Sequence, residues 1–231
     1  MNVRDSPAAQ EYLKAPIPAK STPWRELDFT VVDLETTGLN PSRDEIVSYA
    51  TVAVSHGKVT LADARYELVR PRRMPGEDTS RIHGLREADL IEAPPLEDHL
   101  DGLLGALSGR ILVAHVAAIE EGFLKAALAT SGLRLRNRFV DTAKLASELS
   151  RLRGERPPET EPVGLSEMAR SLGLPVHRRH TADGDALTTA QAFIALATHL
   201  DAFEAQTAGS LVRASGGGPG LLARIRSGLR L

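Results

Sequence analysis

The stretch FTVVDLETTGL, residues 29–39, places a buried strand directly before a pair of acids. Residues 29–32 have high strand propensity. They lead into Asp33 and Glu35, which are separated by one leucine. Side chains two positions apart on a strand point to the same face. The pattern therefore predicts that both carboxylates project together from the end of this strand.

The paired acids have two interpretations. Two carboxylates beside a core repel each other and are costly to desolvate, which indicates a positive charge between Asp33 and Glu35. Their hard oxygen ligands suit Mg²⁺ or Mn²⁺. Alternatively, one acid is a solvated strand end and the other caps a turn, because D-x-E is a short pattern.

Composition sets the broad class of the protein. The chain has 231 residues, of which 42% are hydrophobic and 25% are charged, as is typical of a soluble globular protein. A formal net charge of −2 gives no overall basic field for nucleic acid, although a local patch would suffice. The absence of cysteine excludes disulfides and thiolate metal sites and fits a reducing cytoplasm. No run approaches the roughly 18 apolar residues of a membrane span, so we expect no membrane association.

Three segments differ in composition along the chain. Residues 1–26 are polar and proline-rich, which predicts a leader that is wrapped on the surface or mobile. Residues 27–204 carry the strand and helix patterns of one domain, interrupted by a charged, proline-rich surface loop at 151–162. Residues 205–231 contain four arginines, no acid and a glycine-rich run, which predicts a linker and a basic tail that is mobile or docks a protein partner.

The hydrophobic periodicity of residues 27–204 changes between strand and helix. Strands are predicted at residues 28–34, 46–55, 58–69, 111–114 and 138–140. Helices are predicted at residues 86–91, 94–107, 117–130, 142–149, 165–173 and 181–200. This order predicts an α/β domain with a central mixed five-stranded sheet flanked by helices. Ligands of such sheets bind beyond the carboxyl ends of parallel strands, where Asp33 and Glu35 are expected.

A second acidic cluster follows the short strand at 111–114. His115 stands at the strand end, and the helix after it begins with two consecutive glutamates. Because residues three and four apart share a helix face, Glu120 lies on the side of the apolar Phe123 and Leu124. It therefore faces the sheet edge, and Glu121 faces solvent.

A third cluster, HTADGDA, lies at a junction between a loop and a helix. His180 precedes Asp185 by five residues, a spacing that brings an imidazole and a carboxylate to one site if the helix begins between them. His177 fits a solvated loop position. Asp183 fits the first turn of the helix, where the helix dipole favours an acid.

Taken together, VVDLETTGL, AHVAAIEEGFL and HTADGDA resemble the three motifs of the DEDDh, DnaQ-like 3′–5′ exonucleases, the family of the proofreading epsilon subunit of bacterial DNA polymerase III. The segments RIHGLREADLIEAPP and FVDTAKLA also fit this family. The resemblance runs from residue 29 to residue 200 with the motifs in order. It implies a ribonuclease H-like fold.

The resemblance also implies a mechanism. The metal-binding acids of the family correspond to Asp33, Glu35, Glu120 and Asp185. The general base of the family corresponds to His180, and histidine suits this role near neutral pH. Two divalent cations, Mg²⁺ or Mn²⁺, would clamp the scissile phosphate. The product would be a nucleoside 5′-monophosphate.

The second motif departs from the family pattern H-N-A-x-F-D. The matching residues read HVAAIE, so Val116 replaces the asparagine, Ile119 the phenylalanine and Glu120 the aspartate. A glutamate reaches farther by one C–C bond, about 1.5 Å. Because misplacement by about 1 Å can cost roughly 100-fold in rate, the sequence predicts weak metal binding or a preference for Mn²⁺.

Substrate contacts are expected from two groups of residues. Thr36, Thr37, Gly38 and Leu39 match the place where the family cradles the terminal nucleotide, although a tight turn explains them equally well. His83 and His115 would approach phosphate, or they are ordered turn or core histidines. Aromatic residues make up 4% of the chain, so few nucleotides would be stacked and sequence specificity would be low.

Three functions follow. The first is 3′–5′ hydrolysis of single-stranded DNA in proofreading or repair. The second is the same chemistry on RNA or short oligonucleotides, because the sequence leaves the treatment of a 2′-hydroxyl open. The third is a non-catalytic module that binds a nucleotide or a partner. Retention of Asp33, Glu35, His180 and Asp185 argues against the third, because a binding module needs no general base. The oligomeric state stays open.

Overall fold

Five strands form one mixed sheet in the computed structural model, which describes residues 3–155 and 162–216. The strands are β1 (Asp28–Thr36), β2 (Ile46–Ser55), β3 (Lys58–Leu68), β4 (Ile111–Ala114) and β5 (Phe139–Asp141). Their order is β3-β2-β1-β4-β5, with antiparallel pairing from β3 to β1 and parallel pairing from β1 to β5. The predicted five-stranded mixed sheet is confirmed.

Helices connect and cover the strands. They are α1 (Pro7–Lys14), α2 (Glu77–His83), α3 (Glu87–Ile91), α4 (Leu96–Leu107), α5 (Ala118–Thr130), α6 (Thr142–Leu152), α7 (Leu165–Ser171), α8 (Ala182–Asp201) and α9 (Ala208–Ser215). Within the described ranges, none of these helices is long and apolar enough to cross a membrane. The helices from α3 to α8 agree with the predicted ones to within a few residues.

The alternation of β1 divides the core between the two faces of the sheet. Phe29 and Val31 pack with α6, α8 and α9 on one face, whereas Val32 and Leu34 pack with α1, α4 and α5 on the other. Successive side chains of a strand point to opposite faces. Asp33 and Glu35 continue the alternation of Phe29 and Val31, so their side chains point to the face of the sheet that α8 covers.

The segment predicted as a leader is packed into the domain where the structure describes it. The α1 residue Tyr12 is 2% exposed, and its hydroxyl donates to Asn137 Oδ1 over 2.8 Å. Trp24 is 1% exposed, and its Nε1 donates to Asp201 Oδ2 over 2.8 Å. The segment therefore packs on the domain and contributes to its core.

The helix α9 departs from the linker predicted to begin at residue 205. Its Leu211 is fully buried in the same core as α8, and Thr207 caps its first turn by accepting from the Ser210 N–H. A linker was predicted because the glycine-rich run after this helix dominates the composition of residues 205–231. Most of that run and the predicted basic tail lie outside the described residues, as does most of the proline-rich half of the predicted 151–162 loop.

The segment just before β1 pairs with the segment just after α8. Pro23 and Thr207 form an antiparallel bridge. Beside it, the Ala208 N–H donates to Thr22 O over 2.9 Å, and the Gly209 N–H donates to Lys20 O over 2.8 Å. The segment before β1 and the segment after α8 therefore hold each other on one side of the domain.

Candidate active site

Three carboxylates converge at the carboxyl end of β1. Asp33 and Glu35 come from the strand, and Asp185 comes from the first turn of α8. One ligand oxygen from each lies within 4.8 Å of the others, and all three side chains are partly buried. The alternation of β1 and the packing of α8 against that face of the sheet produce this arrangement.

The turn that starts α8 sets the position of His180 beside Asp185. His180 has a positive φ of 56°, and its backbone N–H donates to Asp185 Oδ2 over 2.9 Å. Thr181 caps the helix by accepting from the Gly184 N–H over 3.3 Å. Gly184 passes so close to the preceding loop that an added Cβ would lie 2.0 Å from Arg178 O. The histidine and the carboxylate of the third motif thus meet at one site.

Glu120 lies beside this three-carboxylate group and is not a member of it. The side chain is 6% exposed, and among the described residues its Oε2 has no hydrogen-bond partner. After burial, the negative charge of Glu120 is the next cause that raises the pKa of Asp33. Glu121 instead forms a surface ion pair with Lys125 at 2.6 Å. The two glutamates therefore point as the helical spacing predicted.

Asp141 is a buried acid that is not among the predicted site residues. It is 4% exposed, and it caps α6 by accepting from the N–H groups of Ala143 and Lys144. The same carboxylate accepts from the N–H groups of Val116 over 3.2 Å and Ala117 over 3.1 Å. It therefore joins the end of β5 to the turn between β4 and α5, and so positions the helix that carries Glu120.

Burial raises the pKa values of all four acids, and the charges of nearby carboxylates add to the shifts. Burial, followed by the charges of Glu120, Asp185 and Glu35, raises the pKa of Asp33 well above its ordinary value. Burial and Asp185 raise the pKa of Glu35 to about 7. The pKa of Glu120 rises to about 8, chiefly through burial, with Asp141 and Glu35 adding to it. Burial also raises the pKa of Asp185, against a hydrogen bond from the His180 backbone.

A divalent cation fits this set of side chains. Carboxylate oxygens are the ligands that Mg²⁺ and Mn²⁺ prefer, and three of them already lie within 4.8 Å of one another. The unpartnered Oε2 of Glu120 is a further buried acceptor that needs a positive neighbour. A bound cation would offset both the burial of these carboxylates and the repulsion between them, so the donor set matches the predicted metal.

The two histidines predicted to approach phosphate are held by the protein. His115 contacts Thr142 Oγ1 through Nδ1 at 3.0 Å and Val163 O through Nε2 at 2.9 Å, which leaves it no ring nitrogen for substrate. His83 is 4% exposed, its Nδ1 accepts from the Leu85 N–H over 3.0 Å, and burial lowers its pKa. The structure therefore favours the alternative of ordered core and turn histidines.

Residues 36–39 form an ordered turn at the edge of the site. The Thr36 hydroxyl donates to Gly38 O over 2.6 Å. Thr37 is tied to Glu45 twice, because its N–H donates to Glu45 O over 2.8 Å and its hydroxyl accepts from the Glu45 N–H over 3.0 Å. Leu39 is 78% exposed at the tip. The turn thus presents an apolar side chain to solvent from a fixed backbone.

A mixed five-stranded sheet with acids at the carboxyl end of its central strand is the architecture of the ribonuclease H-like class. The chain belongs to the exonuclease family RNase_T, whose family model matches residues 30–193. The family resemblance of the three motifs is thereby confirmed.

Relatives of this chain are named as bacterial DNA polymerase III proteins. It is 34% identical to the PolC-type DNA polymerase III of Thermotoga maritima over 167 residues, which are 72% of this chain and 12% of the relative. It is 32% identical to a DNA polymerase III epsilon-like protein of Rhodobacter capsulatus over 194 residues, 83% of this chain and 27% of the relative. With the epsilon subunit of Aquifex aeolicus it shares 29% identity, covering 74% of this chain and 81% of that subunit. The chain therefore spans only a small part of the first two relatives.

Solved structures share the fold. Exonuclease X in complex with 5′ overhanging duplex DNA superposes with a TM-score of 0.63 at 24% identity, covering 81% of this chain and 99% of that one. Exonuclease I superposes with a TM-score of 0.65 at 15% identity, covering 74% and 41% respectively. The predicted ribonuclease H-like fold is confirmed.

Proposed function

We propose that this protein is a DEDDh-type 3′–5′ exonuclease that hydrolyses single-stranded DNA from its 3′ end and releases nucleoside 5′-monophosphates. The observation that carries the proposal is the convergence of Asp33, Glu35 and Asp185 within 4.8 Å of one another, next to His180. Family membership supports the reaction class, and relatives named as DNA polymerase III proteins support DNA as the substrate.

The four acids would hold two divalent cations, Mg²⁺ or Mn²⁺. When bound, such cations would supply the positive charge that activates water and stabilises the charge developing during phosphodiester hydrolysis. Asp33, Glu35 and Asp185 form the compact part of the ligand set, and Glu120 adds a buried acceptor beside it. The reaction would require these cations, because without them the four acids would repel the phosphodiester anions of the substrate.

His180 would act as the general base. Its exposed side chain stands beside Asp185, while its backbone is anchored by the hydrogen bond to that carboxylate. An imidazole in this position can accept a proton from a water molecule that attacks the phosphorus atom. Solvent access to the ring allows the proton to leave after each cycle.

The turn at residues 36–39 would receive the terminal nucleotide. Its backbone is fixed by the two contacts between Thr37 and Glu45, so little ordering is needed on binding. The exposed Leu39 would pack against the terminal base. A contact of this kind carries no hydrogen-bond readout and predicts low sequence specificity.

One degradation experiment tests the proposal. A 5′-labelled single-stranded DNA is incubated with the protein and Mg²⁺ or Mn²⁺, beside the matching RNA. We expect a ladder shortened from the 3′ end of the DNA, which disappears in Asp185→Asn. Asp183→Asn is the matched control, because Asp183 lies in the same turn but contacts Arg178.

Each other result assigns a different function. Faster cleavage of the RNA would move the substrate to RNA or short oligonucleotides. No cleavage of either strand by folded protein would contradict the proposal and favour a non-catalytic binding module. The specific observation behind that second candidate is the position of Glu120 outside the three-carboxylate group.

A further inference from the structure

A groove of about 540 Å³ lies on the face of the sheet opposite α8. Its walls are the loop between β1 and β2, the segment after β3, the start of α4 and one side of α5. The floor is apolar, with Phe123, Ala126 and Ala127 contributed by α5. Four arginines stand among its lining residues, namely Arg43, Arg70, Arg72 and Arg73.

Most of these arginines have no acidic partner. Arg72 Nε pairs with Glu45 Oε1 at 2.7 Å, and the backbone N–H of Arg73 donates to the other oxygen of Glu45 over 3.1 Å. Asp44 Oδ2 accepts from the Asn40 N–H over 2.8 Å. Within residues 3–155 and 162–216, no carboxylate forms an ion pair with the guanidinium of Arg43, Arg70 or Arg73. Three carboxylates, Asp44, Glu45 and Glu97, also line the groove, so four arginines against three acids give it a formal charge of +1. Arg70 Nη1 donates to Ile91 O over 3.4 Å.

The groove begins close in sequence to the turn proposed to bind the terminal nucleotide. Its first wall begins at Pro41, two residues after Leu39. Two contacts hold that wall in place. Thr37 and Glu45 are joined by two hydrogen bonds. Pro41 packs closely against α5, since a Cβ added to Gly122 would lie 2.8 Å from Pro41 Cγ. A strand whose 3′ end lies on the turn therefore has a fixed surface on which to continue.

We propose that this groove binds the substrate strand on the 5′ side of the cleaved nucleotide, with phosphodiester groups on Arg43, Arg70 and Arg73 and bases against the apolar floor. The inference rests on the proposed exonuclease function and names a second contact surface for the same substrate. Guanidinium groups match phosphate geometry with two parallel hydrogen bonds. An apolar floor accepts any base, which suits an enzyme without sequence specificity.

Binding is measured first, without any need for activity. The probe is a 5′-fluorescein oligothymidylate of about 12 nucleotides, within the site sizes of single-strand binders, whose 3′-terminal linkage is a phosphorothioate that resists cleavage. The test variant is Arg43→Ala/Arg73→Ala. The matched control is Arg65→Ala/Arg134→Ala, which removes the same charge from exposed arginines outside the groove.

The test variant should weaken binding about tenfold by fluorescence anisotropy, whereas the control should stay within about twofold of the unchanged protein. The slope of log Kd against log salt concentration should fall by about 1.4, because each phosphate contact to a single strand contributes roughly 0.7. Equal affinities of the two double variants would overturn the proposal. An acidic peptide serves as a second probe. If the test variant keeps its affinity for oligothymidylate but loses affinity for this peptide, the proposal is overturned and the groove is assigned to a protein partner.

A kinetic measurement links the groove to the reaction. The ratio of kcat/KM for the long strand to kcat/KM for a dinucleotide should fall about tenfold in the test variant and stay constant in the control. An unchanged ratio would show that the groove does not contact the reacting strand. If the unchanged protein cleaves neither substrate, the proposed function fails, whereas the anisotropy comparison still decides the groove.

Discussion

Val116 occupies a backbone conformation that its side chain disfavours. Its φ is 60°, in the left-handed region that β-branched residues rarely adopt. Asp141 holds it there by accepting from its N–H and from that of Ala117. The family motif has asparagine here, a residue that tolerates this region. The backbone strain therefore arises because a valine stands at this position, and the hydrogen bonds to the Asp141 carboxylate offset it.

We predict that Val116→Asn stabilises the protein by about 1 kcal/mol, because an asparagine relieves the left-handed strain. Urea unfolding measures the change. Val116→Thr is the matched control, since threonine keeps the branched shape and should bring no gain. Equal stabilities of the asparagine and threonine variants would contradict the strain argument.

Glu120 is a buried acid whose Oε2 lacks a partner among the described residues. We predict that Glu120→Gln raises the melting temperature of the metal-free protein at pH 8 by several degrees, because it removes charge repulsion from Asp33. The same variant should bind Mn²⁺ about tenfold more weakly, as expected when a hard ligand is lost. Calorimetry measures both effects. Glu121→Gln, on the exposed neighbour, should change neither.

The acids of the site were accessible to sequence reasoning to different degrees. The convergence of Asp33 and Glu35 follows from strand alternation, and the approach of Asp185 follows from a helix that starts after His180. The hydrogen bonds that Val116 and Ala117 donate to Asp141 were not predicted, because they depend on β4 and β5 being neighbours. The sequence carried one partial signal, since Asp141 directly follows a predicted strand, where it would share a sheet edge with the end of any parallel neighbour.

At the scale of elements, the junction before α8 depends on one glycine. We predict that Gly184→Ala lowers kcat by about 100-fold with the fold retained, because the new Cβ would lie 2.0 Å from Arg178 O and displace the loop that carries His180. Kinetics on single-stranded DNA and circular dichroism measure the two quantities. Gly105→Ala in α4 is the control, since a Cβ there meets nothing within 4 Å and should stabilise the helix by about 1 kcal/mol. Full activity in Gly184→Ala would mean that the loop tolerates displacement.

Elements with a clear hydrophobic period were predicted well, and those that depend on tertiary contacts were not. The five strands and the helices from α3 to α8 follow the period of their apolar residues. The helix α9 has only eight residues and is held by packing of Leu211 in the core and by Ser215, whose hydroxyl accepts from the Asp141 N–H over 2.8 Å. A short helix of this kind is stabilised mainly by tertiary packing, which composition does not reveal.

For the whole molecule, the raised pKa values make stability depend on pH and metal. The pKa values of Glu35 and Glu120 are about 7 and about 8, above the ordinary 4.5, so the folded protein binds more protons than the unfolded chain between these limits. The free energy of unfolding therefore falls as pH rises through this window.

We predict that the melting temperature of the metal-free protein decreases from about pH 5 to about pH 8, and that Mn²⁺ reverses the decrease at the upper end. Differential scanning calorimetry with and without a chelator measures it. The triple variant Asp33→Asn/Glu35→Gln/Glu120→Gln should show a flatter profile and no response to Mn²⁺. A flat profile in the unchanged protein would contradict the raised pKa values.

The pairing of the segments around Pro23 and Thr207 also determines how this domain can be combined with others. A polypeptide that enters and leaves a folded unit at one point can carry that unit as an insertion, because the host needs only a surface loop with two adjacent ends. The matched region is 12% of the PolC-type relative, so such a unit also occurs inside a much longer chain. Grafting residues 3–216, which keeps the buried Tyr12 and Leu211 in place, through flexible linkers into an exposed loop of an unrelated protein should therefore preserve both folds.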